Sequence, residues 1–326
     1  MKPEKVLKNW GIGKIKKIKL SEEGVVNYNW FVETDKGKYF LRKFLMNRKT
    51  SDLKFEIDYL KKLQASGFKY PTPNPISTIK NKFLVKVNKK YFWLDNFIEG
   101  KIKKEFKKRE LREVAKMVSE HHNILEKLKL RSSGKDINDL GQKEVLNEMG
   151  KFIRKLSKLK KLSKEERSYL NETEKLIPIF NGVNVKKYSR LKKYAIHRDL
   201  HQDNILWHRG KISGVLDFEN VAFGNDAFVK DICIILQYSC SDNELRLSFE
   251  NARFFLREYM KYRKLRKIEL QLIPDIIAAG FIEDFEYQYW LFVNDKKRMK
   301  NPKFKRYSEA AQWYWNNKSK ILREIK

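Results

Sequence analysis

The stretch YAIHRDLHQDNILWHRGKISGVLDFENVAFGNDAFVKD, residues 194–231, places His, Asp and Asn side chains around two short runs of Ile, Leu, Val and Trp. NILW and ISGVLDF are apolar enough to be strands, and the HRGK between them reads as a tight turn, so the pair predicts a β-hairpin. Residues before the first strand and at the end of the second then become neighbours. Asn204 and Asp217 fall side by side, and Asp199 lies five residues ahead of Asn204 on the feeding loop. An amide oxygen and a carboxylate together, with a second carboxylate nearby, form a hard-oxygen site suited to Mg²⁺ carrying phosphate. This is equipment for phosphoryl transfer.

The rest of the 326-residue chain is long enough for a large core and a two-part architecture. Its 72 Lys and Arg against 41 Asp and Glu give a formal net charge of +31. That excess attracts polyanions. The lysines, however, run through nearly every segment, as in KIKKEFKKRELRE from Lys101 and RKLSKLKKLSKEER from Arg154, where apolar residues keep helical spacing and the charges form the solvated face. No zinc-ligand spacing, RNA-binding signature or basic heptad accompanies them, so no specific nucleic-acid partner is expected. Cys233 and Cys240 sit in apolar surroundings and read as buried reduced thiols. With no signal-peptide pattern and no apolar run long enough for a membrane span, the expected location is cytoplasmic, without a membrane partner.

Strand signals concentrate in the first hundred residues. VVNYNWFVET and KYFLRKFL flank the turn DKGK, and FLVKVNKKYFWLDNF reads as a second hairpin closed by Gly100. Between them SDLKFEIDYLKKLQASG predicts a helix with Ser51 as N-cap and Gly67 as its stop, followed by the extended connector YPTPNPI. On that helix Glu56 shares the inward stripe of Leu53, Ile57 and Leu60, and a core-facing carboxylate requires a cation. Helical spacing continues over 111–128 and 144–175 and through the tail beyond Arg246. The expectation is an α+β fold: an N-terminal antiparallel sheet with one helix over residues 1–96, and a mainly helical part over 97–326.

HRDLHQDN followed by LDFE resembles the catalytic and metal loops of the protein-kinase-like superfamily, whose pattern is H-R-D-x-x-x-x-N and a later D-F-G. More narrowly it is similar to the aminoglycoside phosphotransferase and choline kinase family, with H-x-D-L-H-x-x-N and D-F-E. His201 stands where protein kinases usually carry Lys, which points to small-molecule kinases. The resemblance extends from about Gly11 to Leu236. It implies a two-lobed kinase-like fold, ATP or another NTP with Mg²⁺ as cofactors, and a small hydroxyl-bearing acceptor such as homoserine, an amino alcohol, an aminoglycoside or a sugar.

Carried onto these positions, the resemblance makes Asp199 the catalytic base, with His197 bracing its loop and Asp231 anchoring structure. Asn204 and Asp217 become the metal ligands, and Glu219 and His201 stand near the acceptor or a second ion. The phosphate-contacting place in YFLRK falls on Arg42, expected to pair with Glu56, with Lys43 in reserve on the opposite face of the strand. Gly24 matches the phosphate turn of homoserine kinase-like members, and Asp95, Asn96 and Phe97 match the adenine connector. In FIEDFEYQYWLF, Glu283, Asp284 and Glu286 are candidates to meet an amine, with Tyr287 and Trp290 beside them. The alternatives are a protein Ser/Thr kinase, disfavoured by His201 and the short span from Asp217 to Asp231 without A-P-E, and a non-catalytic basic scaffold binding nucleic acid or a partner.

Overall fold

The computed structural model describes residues 2–21, 28–44, 48–295 and 299–326. Within them the aromatic and β-branched runs form an antiparallel sheet of β1 (Ile15–Leu20), β2 (Tyr28–Thr34), β3 (Lys38–Lys43), β4 (Val85–Val87) and β5 (Lys90–Asn96), in the order β1-β2-β3-β5-β4. The β4–β5 turn carries Asn88 and Lys89 at positive φ, the handed geometry that two-residue hairpin turns require. Strand alternation sends Leu41, Phe92 and Leu94 into one cluster with Val6, Leu7 and Trp10 of the N-terminal segment that includes α1 (Pro3–Leu7). The opposite face carries Arg42, register partner of Trp93, and Phe40, register partner of Asp95.

That second face is covered by α2 (Thr50–Ala65), whose Leu53 and Ile57 pack with Phe44 and Trp93. The helix begins at Thr50 from an extended Lys49, so Ser51 lies inside its first turn rather than capping it. Its end is as the sequence predicts. Gly67 adopts φ +80°, and the Phe68 N–H reaches the Leu63 carbonyl while the Gly67 N–H reaches Gln64, the paired bonds of a glycine-terminated helix.

A smaller sheet joins β6 (Lys101–Ile102) to the predicted hairpin, β7 (Ile205–His208) and β8 (Lys211–Val215), turning on Arg209 and Gly210 at positive φ. This hairpin belongs to the first of two compact units, Met1–Lys103 with Asn204–Phe223. The division therefore differs from a split after residue 96. The hairpin docks on the proline connector through the Val215 N–H to the Pro71 carbonyl, 2.9 Å.

The second unit, Lys104–Asp203 with Gly224–Lys326, is helical: α3 (Lys108–Leu128), α4 (Gln142–Leu156), α5 (Lys164–Gly182), α6 (Val185–Tyr188), α7 (Phe228–Ser239), α8 (Phe249–Met260), α9 (Lys267–Asn294), α10 (Phe304–Asn316) and α11 (Lys318–Glu324). The helical pattern over 144–175 resolves into α4 and α5. A capping box restarts the chain at Ser163, whose hydroxyl accepts the Glu166 N–H while the Glu166 carboxylate accepts the Ser163 N–H. Helix α9 is buried on most of its circumference from Leu272 to Phe285 and packs against α4, α5, α7 and α10, as an apolar helix must. Cys233 and Cys240 are buried and unpaired, as expected.

Gly100 leaves room for the small sheet: a Cβ there would lie 2.4 Å from Ser213 Oγ and 2.8 Å from Leu206 Cβ. Gly100→Ala is expected to destabilise the protein by about 1–3 kcal/mol through overpacking, read as a lowered urea midpoint. An unchanged midpoint would show that the strands can separate at no cost.

Candidate active site

In the first unit the hairpin closes through the Leu216 N–H to the Asn204 carbonyl, 2.9 Å, which holds Asn204 and Asp217 at the same end of β7 and β8. Asp217 adopts φ +61°, a left-handed conformation that Asp tolerates because its short side chain bonds locally, and leads into a 3₁₀ turn over Phe218–Ala222. Its Oδ1 is buried and accepts no hydrogen bond, and the Arg42 guanidinium faces it at 3.8 Å. Beside the buried Asn204, this is an oxygen donor set that fits Mg²⁺.

Arg42 is buried on β3, its guanidinium 5.7 Å from the Trp93 ring centre. Burial works against its charge, but Asp217, then Asp95, Glu56 and Glu219, raise its pKa further. Lys43 lies on the other side of the strand against Tyr28, 5.3 Å from the ring centre. The carboxylates show the converse. Burial pushes Glu56 up to about 7 in spite of Arg48 and Arg42, and Asp95 up to about 6 in spite of Arg42 and the Trp93 indole N–H, which donates to it at 2.7 Å.

The expected Arg42–Glu56 ion pair gives way to another. The partner of Glu56 is Arg48, Nη1 to Oε2 at 2.7 Å, and Arg48 also donates from Nη2 to the Glu219 carbonyl at 3.2 Å. Arg42 is turned towards Asp217 instead. Nothing in the strand or helix pattern singles out Arg48. Its signal is an arginine just ahead of a helix that carries a core-facing glutamate.

The residues expected to form the adenine connector lie at the end of β5. The Phe97 N–H is committed to the Lys38 carbonyl at 3.1 Å, Asn96 remains in register with Tyr39, and the Asp95 side chain points into the Arg42 cluster. Gly24 lies outside the described residues.

In the second unit the loop bearing Asp199 is held from below. Asp231 on α7 accepts the Arg198 N–H at 2.7 Å and the His197 N–H at 3.3 Å. The same carboxylate meets His122 Nε2 at 3.1 Å, while His122 Nδ1 meets the Tyr259 hydroxyl at 2.8 Å. His121, His122 and Asp231 have a spacing that a metal could bridge, but both His122 nitrogens are engaged within the core. Burial keeps the pKa of both histidines well below the usual value and raises Asp231 to about 6.

Above this anchor Asp199 is partly exposed, with His201 Nε2 at 3.4 Å from its Oδ1. The His201 ring lies 5.6 Å from that of Tyr238, whose hydroxyl donates to Asp284, and Gln237 donates to the same oxygen at 2.8 Å. Glu283 pairs with the buried Lys230 at 2.7 Å. Asp199, His201, Tyr238 and Asp284 thus form one connected polar surface. The other acceptor candidates diverge from it. Glu286 is buried and accepts from Tyr169 at 2.8 Å, and Tyr287 and Trp290 are exposed and stacked on each other, 6.1 Å and 7° apart.

An α+β chain with this hairpin and this anchored loop belongs by fold among the kinase-like phosphotransferases. A crystal structure of an aminoglycoside phosphotransferase from Alicyclobacillus acidocaldarius superposes with a TM-score of 0.67 at 12% identity, over 99% of this chain and 97% of that one. A spectinomycin phosphotransferase in complex with ADP and spectinomycin gives 0.62 at 15%, over 98% and 96%. By sequence, residues 17–265 match the phosphotransferase enzyme family, and the homoserine kinase of Polaromonas naphthalenivorans is 29% identical over 285 residues, 86% of this chain and 82% of that protein. The chain belongs to the phosphotransferase enzyme family and is a small-molecule kinase. None of the described helices is long and apolar enough to cross a membrane.

Burial pushes the Asp284 carboxyl up to about 7, against the Tyr238 hydrogen bond and with Glu283 adding to the rise. The folded state therefore holds a proton that the unfolded chain releases above about pH 4. The stability due to this group is full at acid pH and falls as pH rises through 7. Asp284→Asn is expected to flatten part of that fall, seen as a difference in melting temperature from the parent that grows between pH 4.5 and 7.5. A constant difference would contradict it.

Proposed function

We propose that the chain transfers the γ-phosphate of ATP to the side-chain hydroxyl of homoserine or a closely related amino alcohol. The observation that carries this reading is the spacing of HRDLHQDN and LDFE on a hairpin that closes Asn204 against Leu216, with the loop of Asp199 fastened to Asp231. The homoserine kinase of P. naphthalenivorans supports the acceptor.

In this reading Asp199 orients the acceptor hydroxyl and receives its proton as the oxygen attacks phosphorus. The bond to the γ-phosphorus forms in line as the bond to the β,γ-bridging oxygen breaks, and ADP leaves with that electron pair. His197 braces the loop through its backbone bond to Asp231. Asn204 and Asp217 hold Mg²⁺, which neutralises charge on the nucleotide phosphates. Arg42 serves as the phosphate cation in preference to Lys43, since Arg42 shares the strand face of Asp95 and lies against Asp217, whereas Lys43 is turned towards Tyr28. Asp284, held by Tyr238 and Gln237, is the carboxyl group offered to an acceptor ammonium, with His201 lying beside both Tyr238 and Asp199, while Glu283 is already paired with Lys230.

Asp199→Asn keeps the size of the side chain and removes its basicity. Turnover on homoserine with ATP and Mg²⁺, followed as ADP release, is expected to fall by about 10²–10⁴-fold, with nucleotide affinity nearly unchanged. Turnover within threefold of the parent would remove Asp199 from the chemistry. A parent that phosphorylates sugars but no amino alcohol would overturn the acceptor.

A further inference from the structure

We propose that Arg48 is a positioning residue for the metal loop, taking over from the strand cation the task of tying helix α2 to the site. The inference rests on the reading of Asn204 and Asp217 as ligands of a nucleotide-bound Mg²⁺. Arg48 is almost wholly buried, its side chain 4% exposed, between the rings of Phe44 and Phe223 at 5.6 and 5.1 Å. One guanidinium nitrogen holds Glu56 of α2 at 2.7 Å, and another holds the main-chain carbonyl of Glu219, two residues beyond Asp217, at 3.2 Å. The Glu219 carboxylate lies 3.9 Å from the first nitrogen. Tyr59 of α2 packs on Phe218, 5.9 Å between ring centres, so the turn that follows Asp217 is gripped on two successive residues.

The consequence is a division of labour between two arginines. Because Arg48 compensates Glu56, Arg42 is left facing Asp217 and is available for a ligand phosphate. Only a planar fork can donate to a carboxylate and a carbonyl from separate nitrogens. A lysine ammonium in the same place keeps the charge beside Glu56 but gives up the carbonyl. The position of the turn, and with it the direction of the Asp217 carboxylate, then loosens without an unpaired buried charge.

The test is calorimetric titration with ADP, with and without Mg²⁺, together with thermal unfolding. In Arg48→Lys the gain in ADP affinity on adding Mg²⁺ is expected to shrink about tenfold, the lower end of the effect of losing an outer-sphere support, while affinity without Mg²⁺ stays within twofold. Arg48→Met should unfold at a markedly lower temperature because Glu56 loses its partner. Arg48→Met with Glu56→Gln should recover the melting temperature without recovering the Mg²⁺-dependent gain, an outcome that a purely structural arginine does not produce. A full Mg²⁺ gain in Arg48→Lys, or equal losses with and without Mg²⁺, would overturn the proposal and leave the metal site standing. A parent that binds ADP equally with and without Mg²⁺ would overturn the metal site, and this inference with it.

Discussion

Buried charge balance governs the first unit of this kinase. Arg42 and Arg48 are set among the carboxyl groups of Glu56, Asp95, Asp217 and Glu219, in a space otherwise lined by Trp93, Phe44 and Phe223. Removing one partner of such a pair strands the other charge at a cost of roughly 3–5 kcal/mol, so the cluster is expected to hold its geometry even though buried pairs contribute little net stability. It also explains the raised carboxyl groups of Glu56 and Asp95: two cations do not offset the desolvation of that many acids. The loop that bears the Glu219 carbonyl and the helix that bears Glu56 meet through the Arg48 guanidinium and through Tyr59 packed on Phe218.

The catalytic loop of the second unit follows a different principle. The loop of Asp199 is placed by the backbone N–H groups of His197 and Arg198, which converge on Asp231, itself bonded to His122, whose other ring nitrogen meets Tyr259. Main-chain anchoring leaves the carboxylate partly exposed, as the proposed base requires. On α9, Asp284 is held by Tyr238 and Gln237, and Glu283 is paired with Lys230.

Much of this was legible from one chain. Apolar strands around HRGK implied the hairpin, and alternation on YFLRKF put Arg42 and Lys43 on opposite faces, as observed. Glu56 on the inward stripe of its helix called for a cation and has one. The identity of that cation was not legible, because Arg48 reaches Glu56 from a loop whose conformation no periodicity describes. Which connector N–H groups are bonded within the sheet was not legible either, since that depends on how far β3 and β5 stay in register, a tertiary fact. Among the acceptor candidates, composition grouped Glu283, Asp284, Glu286, Tyr287 and Trp290; what separates them is their partners, Lys230 for Glu283, Gln237 and Tyr238 for Asp284 and Tyr169 for Glu286, which come from other helices and leave no periodic signal. The excess of lysine carried little information about function, since the charges decorate helices whose inner faces decide the packing.

Asp217 is the carboxylate proposed to make nucleotide binding depend on metal. Asp217→Asn is the direct probe, because Asn accepts the left-handed backbone at φ +61° and preserves the side-chain volume while removing the charge. Calorimetry of ADP binding in the parent should show clearly tighter binding with Mg²⁺ than without it, and in Asp217→Asn the two affinities should converge on the metal-free value. A variant that keeps the full response to Mg²⁺ would contradict the account.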